Sequence, residues 1–127
     1  KIPQSQQINF CNPMKVQYET AKIADKFILK LQGDLIGDES GPKLVELVSD
    51  SLNDGVKVCI IDLSKVRYIS SSGIGVLITM LTKMRNAGGE VFLTSPSEHV
   101  KKLLIITKLN NIFTVYDSLD DALSKLP

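Results

Sequence analysis

From Val16 onward the chain alternates short β-rich runs with longer runs of helical spacing. Residues 16–23 and 26–32 read as two strands joined at Ala24-Asp25. In the second, Phe27, Leu29 and Leu31 alternate with more polar neighbours and give one buried face. Turn formers fill the stretch from Gly33 to Pro42, and Leu44, Leu47, Val48 and Leu52 then fall at helical spacing. Ser40 is placed to cap this helix, Pro42 sits near its first turn, and Asn53-Asp54-Gly55 stops it. Residues 56–64 are nearly all apolar and β-branched, as in a central strand covered on both faces. A second helix follows, with a core stripe of Ile74, Leu77, Ile78, Leu81 and Met84, and with Thr79, Lys83 and Asn86 on another side. Gly88-Gly89 ends it. Residues 90–95 form a fourth strand. Ser95-Pro96-Ser97-Glu98 then reads as a helix start, with Ser95 as cap, and Val100, Leu103, Leu104 and Thr107 share one face. Residues 113–118 give a short edge strand. Ser118 and Asp121 form a capping box for a last helix, whose apolar stripe is Leu119, Ala122, Leu123 and Leu126.

The order β-β-α-β-α-β-α-β-α with short links predicts an α/β fold, a parallel or mixed sheet packed with helices in a single domain. At 127 residues the chain buries roughly two thirds of its unfolded surface, so it folds without disulfides or a structural metal. The first 13 residues are polar and lack periodicity. They read as an arm outside the domain, loose or foreign to the natural protein, with Met14 as the natural start and the domain running over 14–127. Lysine and arginine number 15 against 14 acids, so no global basic field points to nucleic acid. Lys101-Lys102 reads as a solvated helix face. Cys11 and Cys59 build no disulfide framework, and with His99 as the single histidine no set of Cys and His metal ligands can be assembled. His99 reads as a helix-surface residue. No apolar run has transmembrane length, so a reduced cytoplasmic compartment is expected, without membrane insertion.

The stretch from Arg67 to Leu81, RYISSSGIGVLITML, places three hydroxyls at the mouth of the second helix. Gly73-Ile74-Gly75 lacks the third glycine of a dinucleotide loop, since position 78 is Ile78, and no Gly-Lys-Ser/Thr follows. A nucleophilic serine needs a base held nearby, and His99 has no evident orienting carboxylate. Helix capping requires one serine, with Ser71 or Ser72 placed for it. The remaining hydroxyls lie at the carboxyl end of a central strand, where open α/β sheets present functional loops. A phosphate there would bring about −1.5 to −2 charges to the positive end of a helix. The domain can accept that charge, whereas a partner packed on the surface cannot.

With this motif on the page, the chain resembles the STAS domain, and more narrowly the bacterial anti-sigma factor antagonists. The similarity runs from about Val16 to the end, is most specific from Ile60 to Gly89, and includes the Leu109–Leu123 ending. The resemblance implies a mixed β-sheet of four to five strands flanked by about four helices. It implies a non-enzymatic regulator without a cofactor. Such a protein binds an anti-sigma factor serine kinase, releases the sigma factor, is inactivated by serine phosphorylation and is restored by a PP2C-type phosphatase. Carried over by position, the modified residue is Ser71, ahead of Ser72 and Ser70. The partner-binding residues would be Asp34, Ile36, Asp38, Ser70, Ser71, Ser72, Gly73 and Ile74. Ser70 stands where the family usually keeps an aspartate, and Gly33-Asp34-Leu35-Ile36 where it often has Gly-Glu-Leu-Asp. Two other roles stay open: a STAS subunit of another assembly, such as a lipid-transport ABC complex, and a nucleotide-sensing STAS module. A weak homodimer is left open as well.

Overall fold

A computed structural model describes residues 17–23, 25–35 and 40–125. The proposed arm, Met14, Ile36, Asp38 and Leu126 lie outside the described residues. The elements are β1 (Gln17–Ile23), β2 (Lys26–Leu35), α1 (Ser40–Asn53), β3 (Val58–Ile69), α2 (Ser71–Asn86), β4 (Glu90–Thr94), α3 (Glu98–Ile106), a 3-10 turn (Leu109–Asn111), β5 (Thr114–Tyr116) and α4 (Leu119–Lys125). The five strands lie in the sheet in chain order. β1 runs antiparallel to β2, and every later pair is parallel. The α/β class and the mixed sheet are therefore as expected.

Each strand–helix–strand step moves one place in the same direction, and crossovers share one hand, so α1, α2 and α3 stack on one face. Their apolar sides form the main core. Leu44 and Val48 of α1, Leu77 and Met84 of α2, and Val100 and Leu104 of α3 meet Leu29, Leu31, Cys59, Ile61 and Leu63 of the sheet. On the other face α4 covers a smaller cluster of Ile28, Ile60 and Ala122. Ile28 is thus buried as fully as Leu29. The one-face alternation expected of β2 breaks because this strand lies inside the sheet with apolar cover on both sides.

Three expected features move. Along α2 the buried stripe is Gly73, Leu77, Met80, Leu81 and Met84, and Ile78 is exposed. Met80 takes the place expected for Ile78. Each wholly buried side chain of this kind contributes about 1.5–3 kcal/mol. At the start of α3 the cap is Ser97, whose hydroxyl accepts the Val100 amide. Ser95 cannot cap, because its backbone has a φ of 56° and its amide donates to Tyr116 O of β5. Ser40, expected as the cap of α1, is instead its first helical residue, while the end of α2 and the start of α4 are as expected. Gly88 sits at φ 83°, Gly88 N donates to Arg85 O, and Gly89 N donates to Met84 O, which is the Schellman arrangement that terminates α2. The Ser118 hydroxyl accepts from Asp121 N at 3.0 Å and starts α4.

β3 is longer than the apolar run suggests, and this places the site. Its pairing with β4 ends at Asp62–Thr94, yet it continues to Ile69 beside β2. Between the Lys30–Asp62 and Gln32–Lys65 pairs the register slips by one residue, a bulge that bends the strand. The buried Asp62 carboxylate accepts the Ser64 amide at 2.9 Å and so satisfies a donor at the bulge. The result is a two-stranded ledge projecting past β4, with the three serines at its tip.

Candidate functional site

At the end of the ledge Leu35 pairs with Ile69, and Leu35 O accepts the Ser70 amide at 2.9 Å. This tie fixes where β3 stops and α2 begins. Ser70 keeps extended backbone, and its hydroxyl accepts the Gly73 amide at 3.0 Å. Ser70 is therefore the helix cap, in place of Ser71 or Ser72. An aspartate at this position would accept the same amide, so the serine preserves the capping geometry while removing a negative charge from the helix end.

Gly73 is buried. A Cβ built on it would stand 2.2 Å from Leu35 O and 3.1 Å from the Ile69 side chain. Only a glycine lets the first turn of α2 lie directly against the end of β2. Gly73 is thus the close contact that positions the serines. Ile74 is half-buried and packs against the main core.

Ser71 and Ser72 are exposed in that first turn. Their hydroxyls have no hydrogen-bond partner among the described residues. The first turn carries no acidic side chain, and the early amides of a helix without internal acceptors favour an anion. Chemically the arrangement offers two free hydroxyls on the first turn, next to a positive helix end, with no carboxylate in that turn to repel an incoming phosphate. Ser72 also lines an open groove of about 610 Å³ between α1 and α2, with Pro42, Val45, Val76 and Lys83 among its walls.

Asp34, in register with Tyr68, joins the site as an ion pair: Arg67 reaches its carboxylate at 3.2 Å. Tyr68 in turn stacks on His99, with ring centroids 6.2 Å apart and planes 28° from parallel. Sequence reading missed Arg67 and Tyr68; His99 lies exposed on α3, as expected of a helix-surface residue, but its contact with Tyr68 was not foreseen. Tyr68 is an exposed aromatic on the ledge, but the contact with His99 spans two elements and leaves no local pattern. Among the described residues no group of three or more histidine, cysteine, aspartate or glutamate side chains gathers to hold a metal. None of their helices is long and apolar enough to cross a membrane. Cys59, in the main core, is buried, and burial pushes its thiol up to about 12.

The family model of the STAS domain matches residues 14–122. A Thermotoga neapolitana protein provisionally named an anti-sigma factor antagonist is 30% identical over 83% of this chain and 94% of its own. The crystal structure of a Thermotoga maritima protein of the same provisional description superposes with a TM-score of 0.77 at 29% identity, covering 85% of this chain and 92% of that one. The Bacillus cell fate determinant SpoIIAA in its phosphorylated form shares the fold, with a TM-score of 0.70 at 15% identity over 87% of this chain and 100% of its own. The sheet order, the serine-capped helix and these matches agree: the chain belongs to the STAS domain family.

Proposed function

We propose that this protein is an anti-sigma factor antagonist whose binding to an anti-sigma factor serine kinase is switched off by phosphorylation of Ser71. The observation that carries the reading is the division of labour among the three serines. Ser70 is engaged as the cap, while Ser71 and Ser72 stand exposed on the first turn. A kinase can therefore modify an exposed hydroxyl without removing the bond that starts the helix. The names of the Thermotoga relatives support the antagonist role, and the phosphorylated SpoIIAA shows that a protein of this fold carries the modification.

In this reading the docking face comprises the exposed first turn of α2 and the ledge end that bears Asp34, with the neighbouring Ile36 and Asp38 as further contacts. Phosphate on Ser71 is tolerated by the helix amides, but a partner lying on the turn would have to desolvate two charges. A PP2C-type phosphatase restores the binding form. The protein acts in the cytoplasm and performs no catalysis of its own. Incubation with the cognate kinase and ATP, followed by peptide mapping, tests the switch: phosphate is expected on Ser71, and its absence from Ser70, Ser71 and Ser72 would sink the proposal.

A further inference from the structure

The exposed large apolar side chains are not scattered evenly. Ile105 is 55% exposed, Ile106 76% and Ile112 41%, three within eight residues at the end of α3 and the turn after it. That corner is well ordered by its own bonds. Lys108 N donates to Ile105 O, Asn111 N to Lys108 O, and Ile112 N and Phe113 N to Leu109 O, while Leu109 and Phe113 are buried beneath. Arg85 at the end of α2 donates to Ile112 O at 2.9 Å and fixes the turn from the other side. Three isoleucines on this corner leave much of their apolar surface open to water, which costs solubility.

The charges around them are one-sided. On α3, Lys101 precedes Ile105 and Lys102 precedes Ile106 by one helical turn, and Lys108 follows. Glu98 pairs with Lys101 at 3.8 Å and Glu90 with Arg85 at 3.0 Å. Lys102 and Lys108 have no ion pair among the described residues. Two like faces meeting about a two-fold axis would set these lysines against each other, which disfavours a second copy of this chain. A membrane-surface helix carries its apolar stripe along its whole length, whereas the exposed positions of the first half of α3 are Glu98, His99 and Lys102. Arg85, which holds Ile112, lies fourteen residues after Ser71 on α2, so the corner sits at the opposite end of that helix from the serines, roughly 21 Å along its axis.

We infer that the Ile105–Ile106–Ile112 corner, flanked by Lys102 and Lys108, is a second docking surface for an acidic protein segment with an apolar anchor. It is separate from the Ser71 face, so its partner binds whether or not Ser71 carries phosphate. The test places a benzophenone photo-crosslinker at Ile106, and at Thr20 on β1 as a control, in the natural cells, and the captured protein is then purified. An acidic segment is expected in the adduct. Purified partner is expected to bind at least tenfold more weakly to Ile106→Ser and to Lys102→Glu/Lys108→Glu, and unchanged to Ser71→Asp, each variant being checked for wild-type circular dichroism. Adducts at Ile106 no stronger than at Thr20, adducts to a second copy of this chain, or binding indifferent to the lysine reversal would overturn the inference. So would sedimentation of the protein with vesicles of 30% phosphatidylglycerol in phosphatidylcholine that the Ile106→Ser change abolishes.

Discussion

Replacing Gly73 by alanine sets two effects of opposite sign against each other in one helix. Alanine is the better helix former by about 1 kcal/mol, so propensity alone predicts a stabilised protein. Packing predicts the reverse. The new Cβ would lie 2.2 Å from Leu35 O and 2.9 Å from Leu35 C, with the Ile69 side chain at 3.1 Å. The obstructing atoms are backbone, held by the bond from Ser70 N to Leu35 O, and cannot swing aside as a side chain would. Overpacking of this kind costs about 1–3 kcal/mol, and an immovable neighbour puts it at the upper end. The net loss is about 2 kcal/mol, which for a domain of this size lowers Tm by about 8 °C. Gly75, two residues on, is the internal control: a Cβ there meets nothing within 4 Å. Gly75→Ala is expected to gain about 1 kcal/mol and raise Tm by about 4 °C. Thermal unfolding followed by circular dichroism reads both variants. Equal shifts of the same sign would refute the close approach of α2 to the end of β2.

Other expectations follow from single contacts. Ser70→Ala removes the cap bond and should cost about 1 kcal/mol in urea unfolding, whereas Ser70→Asp should be at least as stable as the wild type, because a carboxylate suits the same position. Met80→Ala should cost about 2–5 kcal/mol as a cavity, and Ile78→Ala less than about 1, reversing the order that periodicity alone assigns to these two positions. Cys59 should resist an aromatic disulfide reagent at pH 8 until the chain unfolds, since its burial disfavours the thiolate. Its folded value, raised from 9.0 to about 12, adds stability that is complete below pH 9 and is lost as pH rises from about 9 to 12. Urea midpoints measured across that range should fall faster for the wild type than for Cys59→Ala.

Much of this fold was legible because its signals are local. The glycine pair at 88–89 stopped α2, Ser118 started α4, and the apolar run through Cys59, Ile60 and Ile61 marked a strand covered on both faces. The misses share a non-local cause. In a row of three serines each can cap a helix, and Ser70 is selected by the pairing of Ile69 with Leu35, a partner 34 positions away. Ser95 is withheld from α3 by its bond to Tyr116 of β5, a strand formed later in the chain. Met80 and Ile78 are both apolar but lie on nearly opposite faces of α2, and only the seating of that helix on the sheet decides which is buried. The candidate site followed the same rule. The serine cluster was visible as a motif, and the division of roles within it was not, because capping depends on where β3 ends. Gly73 read as part of a binding surface, and no local pattern signalled that its buried position against the end of β2 requires a glycine. The Arg67–Asp34 and Tyr68–His99 contacts around it join elements that periodicity treats separately.

The switch itself is tested most directly by binding rather than by stability. Purified anti-sigma kinase, unphosphorylated and nucleotide-loaded, can be titrated by calorimetry with the wild-type protein and with Ser71→Asp, with Thr82→Asp on the outer face of α2 as a charge control. Ser71→Asp is expected to bind at least tenfold more weakly, a loss of about 1.4 kcal/mol or more, while Thr82→Asp binds like the wild type. Ser71→Asp binding as tightly as the wild type would contradict the proposal that charge at Ser71 governs the partner.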